Sequence, residues 1–310
     1  MAVWLSHDSY DHDDRTNHIS ATSLLKPLKQ LILSARVDKA TNPPDIMSLI
    51  PSRIGTAIHD SLESTWLNNY KESLKRLNVP KKVIERVVVN PKTLNPNDIP
   101  VYLEQRSEKQ IEGFIVSGKF DFVGDGRVED LKTTSVYTYI NNTNDEKYIL
   151  QGSIYRWLNP EIITRDEMAI QYVFTDWSAA RTREPKYPNA RTLEKKFTLL
   201  SYAQTELFIR KKLKLVKQYW DAKEADIPEC SDEELWRKAD VWKYYKNPEK
   251  TSRSTKNYDT QIEADMRVSK DGGIVIKKPG EIVACRYCEA FPECKQKDRY
   301  LASGELVLGG

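Results

Sequence analysis

Between residues 118 and 133, apolar and polar positions alternate in two short runs, GKFDFV and RVEDLKT, separated by GDG. A period of two predicts two strands, and Asp125-Gly126 predicts a two-residue type I′ hairpin turn. With that loop, Gly124 faces Arg127, Asp121 faces Asp130 and Lys119 faces Lys132. Strand alternation puts these acids and lysines on one face and sends Phe120 and Phe122 to the other, toward a core. Like charges placed opposite each other are destabilising. Either the face is a solvated polar surface, or a divalent cation between the carboxylates reverses the penalty. Oxygen ligands suit Mg²⁺ or Mn²⁺, and a lysine beside such an ion can steady developing charge or position a water.

The pattern elsewhere is mostly helical. ISATSLLKPLKQLILSARV reads as a helix opened by Ser20, with Pro27 near its start. A Pro-rich turn, TNPPD, leads to a helix over 53–76, where Ile54, Ile58, Leu62, Trp66 and Leu67 make an apolar stripe. On a neighbouring face Gly55 and His59 are four apart, with Glu63 one turn on. Strand-like runs (VIERVVV, VYLEQR, QIEGFIVSG) occupy 80–116. After the hairpin come a helix, EKYILQGSIYRWLN, a strand over 168–178 and a basic amphipathic helix over 199–224. This order predicts an α/β (α+β) domain with a central mixed β-sheet flanked by helices. From residue 227 the chain becomes Trp-, Tyr- and Lys-rich. We expect a core over 1–226 and, over 227–310, a helical or irregular C-terminal extension packed on it.

The chain has 310 residues, 39% apolar and 30% charged, which fits a polar globular protein. A net charge of +3 does not by itself mark a nucleic-acid binder. No run of 18 apolar residues predicts a membrane helix, the N-terminus lacks the regions of a signal peptide, and four cysteines fit a reducing cytoplasm. Four acids and two histidines crowd residues 7–14 without helical or strand spacing and read as a solvated tail. The basic residues of 210–217 and 243–256, the latter interleaved with Trp242, Tyr244 and Tyr245, have the composition of a nucleic-acid surface or of a solvated face. Thr175-Asp176-Trp177 reads either as part of such a groove or as a strand-end turn.

Four polar features recur in order: GTAIH ending at His59, GKFD ending at Asp121, EDLK with Asp130 and Lys132, and QGSIY with Gln151 and Tyr155. Together they resemble the RecB-like exonuclease branch of the PD-(D/E)xK nuclease superfamily over about residues 50–160. The resemblance implies a restriction-endonuclease-like core and a metal-dependent DNA nuclease. In it Asp121 and Asp130 would hold Mg²⁺ or Mn²⁺, with the Leu131 carbonyl and His59 as further ligands. Lys132 would orient or activate the attacking water, and Gln151 and Tyr155 would contact the DNA. Thr133 matches the threonine that commonly follows the lysine. Glu63, Glu112 and Glu129 are further acids near the site. Glu129 lies on the opposite strand face from Lys132, so Asp130 is the preferred ligand, and Glu63 is a candidate for supporting His59.

Cys285-x2-Cys288-x5-Cys294 resembles the C-terminal part of the iron–sulfur staple of some RecB-like nucleases. The upstream cysteine those proteins use is absent, and Cys230 lies after the core instead. Cys230, Cys285, Cys288 and Cys294 could hold a [4Fe–4S] cluster or Zn²⁺, or remain free thiols. The expected activity is exonucleolytic, on single-stranded DNA or duplex ends. It would serve recombination, repair or degradation, alongside recombination or replication proteins and in the host cytoplasm if the enzyme is virus-encoded. The alternative is a DNA-binding or assembly protein on an inactive nuclease fold, and no residue separates DNA from RNA.

Overall fold

The computed structural model describes residues 1–7, 15, 17–38, 41 and 45–308. The His/Asp-rich stretch 8–14 and most of the TNPPD turn lie outside the described residues. Two compact units form: Met1–Leu25 with Pro43–Lys214, and Lys26–Asn42 with Leu215–Gly310. This division departs from a boundary at 226. The helix Tyr202–Tyr219 runs across it, and the helix Leu28–Ser34 counts with the second unit, where Lys29 pairs with Glu224 at 2.7 Å.

The first unit is built on a mixed seven-stranded sheet. Its strands are β1 (His18–Ser20), β2 (Val87–Val89), β3 (Ile99–Ile111), β4 (Phe114–Gly124), β5 (Arg127–Thr134), β6 (Glu167–Phe174) and β7 (Thr192–Thr198). The spatial order is β2-β3-β4-β5-β6-β7, with β1 also pairing with β4. Asp125 and Gly126 both have positive φ, 48° and 81°, as a type I′ turn requires, and Gly124 pairs with Arg127 and Phe122 with Glu129. A second tight turn, at Glu112-Gly113 (φ 54° and 85°), joins β3 to β4.

One edge of β4 is paired with β3 along most of its length. The other edge is shared: β1 covers residues 115–117 and β5 covers 122–124. Among the described residues, no strand pairs with residues 118–121 on that edge. The sheet is forked there.

Helices α1 (Ile50–Asn68) and α2 (Asp145–Leu158) pack on the sheet. On one face Trp66 and Phe122 join the cluster of Val87, Val101 and Leu103. On the other, Tyr155 and Leu158 of α2 lie so close to Gly118 that a Cβ there would come within 2.8–3.0 Å of them. The two-residue period places Phe120, which is fully buried, on this same face. Phe120 and Phe122 therefore point to opposite faces, not to one. The alternation inverts between them at Glu104–Asp121, where the β3–β4 ladder lacks a pair and Glu104 takes φ 51°. A left-handed glutamate is uncommon and mildly strained.

The expected N-terminal helix is broken into Ala21–Leu24 and Leu28–Ser34. Ser20 caps the first piece through the Ser23 N–H at 3.1 Å, and Pro27, with no N–H and a fixed φ, starts the second. The helix expected over 53–76 is likewise two, α1 and Tyr70–Arg76.

The second unit contains a three-stranded antiparallel sheet with β8 (Val241–Tyr245) between β9 (Lys256–Tyr258) and β10 (Ile274–Lys278). It also holds helices α3 (Gln261–Asp271) and α4 (Gln296–Ser303). Tyr244 and Tyr245 are buried, so they are core residues and not a stacking surface. In the first unit, Arg210 pairs with Glu112 and Glu206, and Asp176 accepts the Val136 N–H. These residues serve the fold.

Candidate metal centre and active site

The fork in the sheet is where the chemistry-bearing residues gather. His59 comes from α1, whose Gly55 sits over Thr133 of β5; a Cβ at Gly55 would meet the Thr133 Oγ1 at 3.2 Å. Asp121 stands at the end of the β4–β5 ladder. Instead of a strand partner it has the Leu131 main chain: its Oδ2 accepts the Leu131 N–H at 3.1 Å. A strand residue's N–H and C=O leave the same edge, so the Leu131 carbonyl also faces the fork.

His59 Nδ1 lies 3.5 Å from Asp121 Oδ2 and 3.9 Å from Glu104 Oε1. His59, Glu104 and Asp121 each offer a ligand atom, all within 4.8 Å of one another, and all three are half-buried. Glu104 also pairs with Lys119 Nζ at 2.6 Å. On β5, Asp130 is 2% exposed and its Oδ2 lies 2.6 Å from Lys132 Nζ. That contact is poorly directed, and the oxygen receives no well-formed hydrogen bond. A buried carboxylate oxygen left in this state fits a metal ligand.

The charges perturb one another strongly. Burial, reinforced by the Asp130 charge, pushes the Asp121 carboxyl up to about 7. The Glu104 carboxylate beside it raises His59 despite its partial burial. Burial works to raise Glu104, but the nearby His59 and the ion pair with Lys119 hold it below the usual carboxylate range. Burial would lower Lys132, yet the charges of Asp130 and Asp121 hold it above the ordinary lysine value. Two carboxylates in one partly dry site, one of them forced toward neutrality, fit the ligands of a divalent cation.

A cleft of about 870 Å³ brings these groups together: His59, Asp121, Asp130, Leu131 and Lys132 line it with Gln151 and Tyr155. Gln151 Nε2 donates to the Tyr155 hydroxyl at 2.7 Å, the i, i+4 contact their spacing allows. Arg53, Arg106 and Lys119 add cations to the same walls.

No protein-family model matches the chain, and no curated protein does. Among solved structures, SSO0001 is similar at 15% identity and a TM-score of 0.41, over 66% of this chain and 79% of that one. A phage-related exonuclease from Haemophilus somnus 129PT is similar at 12% identity and a TM-score of 0.30, over 68% and 96%. At these scores neither likeness transfers a residue or an activity.

Glu104 is the site residue that the sequence reading missed. Its signal was the Glu112-Gly113 turn: a two-residue loop there places Glu104 opposite Asp121. Lys119, expected across from Lys132, is tied to Glu104 instead. Glu63 lines the cleft, whereas Glu112 sits in its turn and pairs with Arg210. Glu129 is held by Arg127 and by Gln171 at 2.9 Å.

The four cysteines are free and partly buried in the second unit. Burial, with smaller contributions from Glu234 and the other three sulfurs, pushes Cys230 up to about 12. Burial, then Cys288 and Cys294, pushes Cys285 up to about 11. The four thiols are therefore neighbours. Among the described residues, the one set with ligand atoms within 4.8 Å is His59, Glu104 and Asp121.

No helix among the described residues is long and apolar enough to cross a membrane.

Proposed function

We propose that the chain is a divalent-metal-dependent nuclease that hydrolyses phosphodiester bonds in DNA, acting from ends as an exonuclease in recombination, repair or degradation. What carries the reading is the meeting of the His59–Glu104–Asp121 cluster with the Asp130–Lys132 pair at one break in a sheet.

His59, Glu104, Asp121, Asp130 and the Leu131 carbonyl would hold Mg²⁺ or Mn²⁺, a donor set of one nitrogen and several hard oxygens. When bound, the metal supplies a Lewis acid and a nucleophilic water at neutral pH. The chain's own residues do the rest. Lys132, anchored by Asp130, donates to the attacking water or to a non-bridging phosphate oxygen. Gln151 and Tyr155, linked to each other, present a donor and a hydroxyl to the strand beside the scissile phosphate. Arg53, Arg106 and Lys119 counter the charge of neighbouring phosphates. The exonuclease mode rests on the sequence resemblance.

Cys230, Cys285, Cys288 and Cys294 are read as ligands of a [4Fe–4S] cluster in the second unit, in preference to Zn²⁺. The resemblance of Cys285-x2-Cys288-x5-Cys294 to an iron–sulfur staple and the influence of the other three sulfurs on Cys230 support this.

The test is hydrolysis of end-labelled single- and double-stranded DNA, linear and circular, with Mg²⁺, Mn²⁺ or EDTA. Cleavage is expected with metal alone, and linear DNA is degraded faster than circular. A folded protein that binds DNA but cuts none of these substrates would be the inactive alternative.

A further inference from the structure

The apolar stripe of α1 does not close onto the sheet. Ile58, Leu62 and Trp66 stand over Leu103, Phe122 and Val173, and a second cavity of about 400 Å³ remains between them. No residue of α1 is fully buried, and Leu62 is 44% exposed. A packed domain normally closes such a gap. This one opens onto the metal cluster, because His59, Glu104 and Asp121 line both it and the polar cleft.

Two cavities of opposite character thus meet at one set of ligands. A nucleotide has the matching two parts: a charged phosphate and a flat, largely apolar base. We propose that the cavity under α1 is a nucleobase pocket. It takes the unstacked base of the nucleotide whose phosphate lies at the His59–Glu104–Asp121 cluster. Trp66 and Phe122, packed together with ring centroids 5.2 Å apart, give an aromatic wall. Glu129 and Gln171, bonded to each other at 2.9 Å, give the pocket a polar end for the base edge. A paired base cannot enter, so the pocket selects unpaired ends and single strands.

This inference rests on the nuclease reading for the phosphate's position, but its test does not need cleavage. Calorimetry with Mn²⁺ would compare deoxyadenosine 5′-monophosphate with deoxyribose 5-phosphate, which lacks the base. The base should tighten binding about tenfold, the scale of one stacked base. Leu62→Trp fills the cavity from a half-exposed position, and it should remove that difference while leaving deoxyribose 5-phosphate binding unchanged. Circular dichroism and the melting temperature would check its fold. Leu62→Ala, which leaves the cavity open, should keep the base effect. Equal affinity of the wild type for the two ligands would overturn the pocket, as would an unaltered base effect in folded Leu62→Trp. Loss of DNA cleavage alone would count against the nuclease reading and leave this comparison intact.

Discussion

Replacing Asp121 with asparagine should make the metal-free protein more stable, although it removes a candidate ligand. Asparagine keeps the oxygen that accepts the Leu131 N–H and deletes the charge facing Asp130. In the folded chain the Asp121 carboxyl is pushed from the ordinary 3.8 up to about 7. A group with a raised carboxyl binds its proton more tightly folded than unfolded, so stability falls as pH rises between those values. The penalty is absent near pH 4 and complete above pH 7. A tenfold change in proton affinity is worth about 1.4 kcal/mol, which sets a ceiling of about 4 kcal/mol. The side chain keeps a fifth of its surface in contact with water, and screening brings the expectation to about 2 kcal/mol. Urea unfolding in EDTA at several pH values between 4.5 and 8 would measure it. Asp121→Asn should gain on the wild type steadily across that range. Mn²⁺ at about 100 times its Kd should then add about 2.7 kcal/mol to the wild type at pH 8 and much less to the variant. If Asp121→Asn is no more stable than the wild type at pH 8 without metal, the two carboxylates are not in conflict and the case for a cation between them fails.

Other outcomes follow from the same geometry. Asp130→Ala or Lys132→Ala should lower metal-dependent DNA hydrolysis by at least about 100-fold without unfolding the chain, and normal cutting by both would remove them from the site. Glu104→Gln should weaken Mn²⁺ binding, read by calorimetry, by about tenfold or more. Gly118→Ala would press a methyl group into Leu158 and Tyr155, and should cost about 1–3 kcal/mol in urea unfolding; an unchanged midpoint would mean that α2 packs less closely than described. Purified anaerobically, the protein should be brown and carry about four irons per chain, and Cys285→Ser should bleach it.

The hairpin was legible because its signals are local. Asp125-Gly126 needs positive φ at both turn positions, and few other dipeptides meet that demand cheaply. His59, Asp121, Asp130, Lys132, Gln151 and Tyr155 were singled out by spacing and resemblance; that they line one cleft is what the structure adds. The parting of the strands was not legible. Regular alternation continues Phe122–Glu129 into Asp121–Asp130, and only the tertiary placement of β1 along the same edge of β4 shows why the ladder stops. Glu104 was hidden for a related reason: a left-handed glutamate breaks the period on which strand reading depends. The tyrosines of β8 look like a stacking surface by composition and are core by topology, which three short strands far apart in sequence conceal.

The inversion at Glu104 turns a barrier into a window. A β-sheet ordinarily isolates what lies on one side from the other, so substitutions on helices of opposite faces usually add. Here α1 and α2 reach the same opening, and a change on either helix is felt through it. Substitutions at His59 and at Gln151 should therefore be non-additive despite lying on different helices, and grafting either helix alone onto another scaffold would carry half a site.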